Sequence, residues 1–153
     1  MWLFKNNKQH KKISKNIEEH GWQFQFVFDE NGEKVDFAYT IGFEETFAHP
    51  EIMIFGLKKE TMHTILADIA YELKSGKVFT PNNRIPDVIS GGLDVMFKPL
   101  KNECIADFAG IASQYYDKPF RVLVMLWPDR NNILPTEANC ELTIQNEALK
   151  VVS

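Results

Sequence analysis

The sequence predicts an α+β fold: a mixed, mainly antiparallel sheet, open or curled into a partial or split barrel, with helices packed outside it. Three observations predict it. "WQFQFVF" and "VDFAYTIG" both alternate with the period of a half-buried strand, and Asn31-Gly32 between them is a hairpin turn signal. "EIMIFGL" is an almost continuous apolar run suited to a central strand. Residues 58–75 then change to three-four spacing, the buried stripe of an amphipathic helix.

Taken in order, the first element is a short helix over Ile13–Glu19, ending at His20-Gly21. Gly21 suits a left-handed cap, and Lys15 and His20 lie toward the end that favours cations. In the first strand Phe24, Phe26 and Phe28 share one face, and Gln23, Gln25 and Val27 the other. The second strand sends Val35, Phe37, Tyr39 and Ile41 one way and Asp36, Ala38 and Thr40 the other. "FEETFAH" reads as a loop leading into the third strand, "EIMIFGL". In the helix that follows, Met62, Ile65, Leu66, Ile69 and Leu73 form the stripe and Gly76 ends it.

"KVFT" reads as a short strand, "PNNRIPDVISGG" as an irregular connection and "LDVMFKPL" as a further strand. Asn102 is placed to cap a second helix with Ile105, Phe108, Ile111, Ala112 and Tyr115 on its inner face. "FRVLVMLW" is the strongest strand in the chain, stopped by Pro128-Asp129. "DRNNILPTEAN" is a loop, and "CELTIQNEALKVV" a final strand or short helix.

A length of 153 residues suits one domain with a real core, residues 1–12 forming a basic, loosely ordered head. Lys5, Lys8, Lys11, Lys12 and Lys15 all precede the first acidic residue, Glu18. The other 12 basic residues face 21 acidic ones, so the body carries about −9 although the net charge is −4. That balance disfavours nucleic-acid backbone as a partner. No apolar run is long enough to span a membrane, and "MWLFKNNKQHKK" lacks the apolar core of a secretory signal. Cys104 and Cys140 have no paired spacing, which fits free thiols and a cytoplasmic location.

The phosphate-loop, dinucleotide and nucleophile-elbow signatures are absent. "HPE" (His49–Glu51) matches the HxE half of a zinc deaminase, but neither cysteine supplies the PCxxC half. His49 and His63 with nearby carboxylates are chemically suited to zinc or iron, yet His63 lies on an otherwise solvated helix face, and no metal site is assigned.

Two readings of HPE stand side by side. In one it is ordinary loop chemistry before a buried strand, with proline tolerated at the strand start. In the other, Tyr39, Thr40, His49 and Glu51 converge at one sheet end, where a histidine beside a carboxylate exchanges protons near neutral pH. The second candidate region is "WPDRNNILPTE", where Trp127 offers a stacking face and Asp129, Arg130 and Glu137 supply charge on a proline-stiffened loop. Cys104 reads as a small core residue.

"HGW" (His20–Trp22), "AYTIG" (Ala38–Gly42), "HPE", "FGL" (Phe55–Leu57) and "WPD" (Trp127–Asp129), in this order, resemble a bacterial domain-of-unknown-function family, number 4262. The resemblance covers the chain from about Ile17 onward. It implies a small stand-alone bacterial domain and marks Tyr39, Thr40, Gly42, His49, Glu51, Trp127, Pro128 and Asp129 as motif positions. The chain departs from the pattern twice. "LPTE" stands where such proteins tend to carry a Phe-Pro-Trp-Glu-like run, and Gln145-Asn146 stands where they carry Gln-Pro.

Two functional expectations follow. The first is a small-molecule site between the Thr40–Glu51 and Trp127–Glu137 loops, with Tyr39, Thr40, Trp127 and Asp129 binding ligand and His49 and Glu51 as catalytic candidates. No residue pattern identifies a cofactor, and a flavin enters only as an analogy to split-barrel folds. The second is a non-enzymatic interaction or homodimerisation module, for example an accessory to a toxin or defence system. Its interface would lie on the Phe24-Phe26-Phe28 strand or the basic amino-terminal helix.

Overall fold

The alternation of "QFQFV" and "FAYTI" does produce a hairpin. In the computed structural model, which describes the backbone from residue 2 and side chains from residue 8 onward, β1 (Gln23–Val27) pairs antiparallel with β2 (Phe37–Ile41). β2 continues antiparallel to β3 (Glu51–Phe55). β3 lies parallel to β6 (Val122–Leu126), which pairs antiparallel with β5 (Val95–Pro99), and that with the two-residue β4 (Arg84–Ile85). The order β1-β2-β3-β6-β5-β4 is one open sheet with β1 and β4 at its edges, so the curl left open by the sequence does not close into a barrel.

The two continuous apolar runs occupy the centre, and every residue of β3 and β6 is buried. Both faces are covered, as such runs require. On one face α1 (Trp2–His20), α4 (Asn102–Phe108), α5 (Gly110–Tyr115) and α6 (Asn146–Val151) pack on Tyr39, Ile41, Met53, Phe55, Val122, Val124 and Leu126. On the other, α3 (Lys59–Lys74) lays Met62, Ile65, Leu66, Ile69 and Leu73 against Ala38, Ile52, Ile54, Leu123 and Met125. The expected α+β class, with a mainly antiparallel mixed sheet and helices outside, is the architecture found. No helix among the described residues is long and apolar enough to cross a membrane.

Several local expectations are corrected. The first helix begins at Trp2 rather than Ile13, so the backbone of the expected basic head is helical from Trp2; the side chains of residues 1–7 lie outside the described residues. "FEETF" is not a loop but a one-turn helix, α2 (Phe43–Phe47). "KVFT" is not a strand, because the Phe79 N–H goes to the His49 side chain instead of a ladder. Lys101, not Asn102, is the residue before α4, and its side chain makes no cap bond. The helix there breaks at Ala109 into α4 and α5, just before Gly110. Of the two forms expected for the carboxy-terminal segment, the helix is the one adopted, at Asn146–Val151.

Candidate functional site

The antiparallel β2–β3 pair brings Thr40 and Ile41 beside Glu51 at one end of the sheet. Gly42, at φ 121°, turns the chain from β2 directly into α2. A Cβ there would stand 2.9 Å from Ile17 Cγ1 and 3.0 Å from the Gly21 carbonyl, so the turn admits only glycine. It aims three successive N–H groups at the first side chain of β3. Phe43 N–H donates to Glu51 Oε1 (3.0 Å), and Gly42 and Glu44 N–H donate to Oε2 (3.2 and 3.0 Å).

Two hydroxyls complete the set. Thr40 Oγ1 accepts from Ile52 N–H (3.0 Å), so its proton goes to Glu51 Oε1 (2.8 Å). Tyr116, immediately after α5, accepts from Gly42 N–H (3.0 Å) and donates to Glu51 Oε2. Glu51 is thus a fully buried carboxylate receiving five donors from its own chain. Burial pushes its pKa up to about 7, and the hydrogen bonds from Tyr116, Glu44, Thr40 and Phe43 hold the rise to that level. Burial and the neighbouring Glu51 charge in turn push the Tyr116 hydroxyl far up.

The rim of α2 is fastened from outside. Glu44 receives Arg121 through its backbone N–H (2.9 Å), Nε (3.0 Å) and Nη2 (2.7 Å). Burial raises the Glu44 pKa, but the Arg121 bonds outweigh it and hold the carboxyl below its ordinary range. Tyr115 donates to Glu45 Oε1 (2.7 Å).

His49 does not join this cluster. Its Nδ1–H donates to the Pro50 carbonyl (2.8 Å), and its Nε2 accepts the Phe79 N–H (3.2 Å), which fixes the neutral tautomer. Burial lowers its pKa, and a second proton on Nε2 would meet the Phe79 N–H head-on. Neither ring nitrogen of His49 bonds Glu51, Thr40 or Tyr116. The expected convergence therefore splits: Thr40 and Glu51 meet, and His49 stands apart. Tyr39 is buried, its hydroxyl accepting from Ile111 N–H (3.2 Å) and pushed by burial to about 12.

Trp127 and Asp129 lie at the other end. Because β6 runs parallel to β3, Val122 sits beside Glu51, and Trp127 follows the far end of β6, about 17 Å along the chain from Val122. The Thr40–Glu51 and Trp127–Glu137 loops, expected to flank one pocket, thus lie toward opposite ends of the β3–β6 pair. Trp127 Nε1–H donates to the Phe55 carbonyl (2.8 Å). Buried Gln145 accepts from Trp127 N–H (3.0 Å) and donates to its carbonyl (2.7 Å). Asp129 Oδ1 accepts from Asn131 and Ile133 N–H (2.8 and 3.0 Å), so its carboxylate is engaged in shaping its own loop. Arg84 binds Asp94 Oδ2 (2.9 Å), the Asn132 carbonyl (2.8 Å) and Glu137.

Tyr116, Arg121, Gln145 and Arg84 were not found by sequence reasoning. Only Gln145 gave a signal, as a motif position near the end of the chain. A surface hollow of about 420 Å³ lies beside the β1–β2 turn, lined by Val27, Phe28, Asp29, Lys34 and Glu147 among others, and by none of the candidate site residues. Among the described residues no three His, Cys, Asp or Glu side chains converge as metal ligands.

No curated protein and no solved structure matches the chain. The family model described as "Domain of unknown function (DUF4262)" matches residues 16–141, which takes in both the Glu51 cluster and the Trp127 loop. With that match spanning most of its length, the chain belongs to the DUF4262 family.

Proposed function

We propose that the chain is a non-enzymatic protein-interaction module that accepts an extended segment on the outer edge of β1. The observation that carries this reading is the edge itself. Among the described residues, β1 has main-chain hydrogen bonds only to β2, so its outer N–H and C=O groups are left to a partner. Its sequence, QFQFV, contains no charge, proline or glycine of the kinds that usually blunt an edge strand. Phe24 and Phe26 are half-buried, Phe28 is 58 % exposed, and Phe26 stacks on Phe28 at 5.8 Å.

The catalytic alternative has less support. Proton exchange needs a group that reaches a substrate, and Glu51 is enclosed by five internal donors while both ring nitrogens of His49 are bonded to backbone. The test is a capped synthetic peptide spanning residues 21–29, titrated into the labelled protein. Slowed amide exchange and shifted resonances at Phe24 and Phe26 are expected. Binding that leaves β1 unperturbed, or no binding, removes the edge as the site.

A further inference from the structure

The direction of each outer backbone group follows from one bond. Gly56 N–H donates to the Asp36 carbonyl (2.8 Å), so Asp36 turns its main-chain groups toward β3. Alternation then turns those of Phe37, Tyr39 and Ile41 toward β1. Their partners Val27, Gln25 and Gln23 face back, which leaves the N–H and C=O of Phe24 and Phe26 pointing outward.

From this geometry, and resting on the edge-strand reading above, we infer that the occupant of the β1 edge is β1 of a second copy, paired antiparallel about a two-fold axis at Gln25. An antiparallel pair of identical strands is self-complementary under such an axis. With the axis at Gln25, Phe24 of each copy faces Phe26 of the other, and the outward groups of these residues exchange hydrogen bonds across the axis. The flanking Trp22 and Phe28 fall opposite one another in the same register. All four aromatics belong to one face, so each meets an aromatic, and the exposed Phe28 gains a cover. Shifting the axis by one residue leaves Phe28 or Trp22 outside the pairing.

The charge pattern is compatible with this register. No ionised side chain lies in β1 to face its own copy, and Lys59 Nζ, 5.2 Å from the Phe26 ring centroid, adds a cation to the aromatic row. On the other face, Gln25 meets Gln25 of the second copy directly.

That central contact supplies the test, read by sedimentation velocity over a concentration series, with thermal melting to confirm that each variant folds. The wild type is expected to show a monomer–dimer equilibrium. Gln25→Glu and Gln25→Lys each place like charges face to face at the axis and weaken self-association about tenfold or more. An equimolar mixture of the two variants pairs opposite charges and recovers the dimer, which a general loss of structure cannot do. A wild type that stays monomeric, or variants that dimerise as well as wild type, overturns the inference. If the protein is monomeric while the 21–29 peptide still protects Phe24 and Phe26, the second copy is wrong and the edge reading stands. If the peptide also fails, both fall.

Discussion

The two ends of the β3–β6 pair are closed by opposite means. At one end a single carboxylate, Glu51, is removed from water entirely and gathers backbone N–H groups from the turn at Gly42 together with two hydroxyls. At the other, a neutral amide, Gln145, splints the Trp127 backbone, and the outer ties are solvent-exposed ion pairs around Arg84. The first end concentrates its polar contacts on one buried carboxyl; the second distributes them over ordinary hydrogen bonds and screened contacts. Charged residues in a motif therefore do not by themselves mark chemistry. Glu51 is the most perturbed carboxylate of the pair of loops and also the least accessible.

The strongest way to break this contrast is Glu51→Gln. The amide keeps the volume but sets an NH₂ group against N–H and O–H donors, leaving several of them unpaired in the core. A loss of roughly 3 kcal/mol or more in denaturant unfolding is expected, without change in slope. A loss below about 1 kcal/mol would mean that the donors find other partners and that the cluster is not the fastening described.

The pH dependence is the next largest effect. With its folded pKa raised to about 7 from an ordinary 4.5, Glu51 binds a proton in the fold that the unfolded chain has already released. Its contribution is fully present below about pH 4.5 and is lost as pH rises through 7, at up to roughly 1.4 kcal/mol per pH unit inside that window. Wild-type stability measured from pH 4.5 to 8 should show this decline, and Glu51→Gln should lack it.

At the opposite end, Gln145→Ala orphans the N–H and C=O of Trp127 and should cost about 2 kcal/mol, independent of pH and of salt. Arg84→Ala is the smallest change. Its pairs with Asp94 and Glu137 are partly exposed, so a loss smaller than that of Gln145→Ala is expected in denaturant unfolding, shrinking as salt is added. A salt-insensitive loss there would erase the distinction between the two ends.

How much of this was legible in the sequence depends on the range of the interaction. The alternation of Phe24 and Phe26, the apolar run of β3 and the stripe from Met62 to Leu73 are local patterns, and each yielded its element. α2 was missed because five residues carry little periodicity; its reason to be helical is the carboxylate of Glu51, beyond its own end. "KVFT" was read as a strand because side-chain pattern does not reveal that Phe79 bonds a histidine ring. Thr40 and Glu51 were correctly placed together, since a hairpin-like return brings them to one sheet end. Tyr116, the residue that closes their cluster, is 65 positions from Glu51 and follows no spacing rule. Placing His49 with them failed for a related reason: strand alternation would put residues 49 and 51 on one face, but His49 precedes β3, and only its bond from Phe79, 30 positions away, shows which way the ring turns.

The parallel pairing of β3 with β6 has a consequence in time. Residues 23–55 can assemble by short closures, a hairpin and a tight turn, and in doing so bring Thr40, Phe43 and Glu44 around Glu51. Joining Glu51 to Val122 requires closing a far longer stretch of chain, and Tyr116 arrives only with it. Until then the carboxylate has four of its five donors and an open side to water. The last hydroxyl to arrive is thus a latch that sets late in folding, and its strength is felt chiefly in how slowly the finished molecule comes apart.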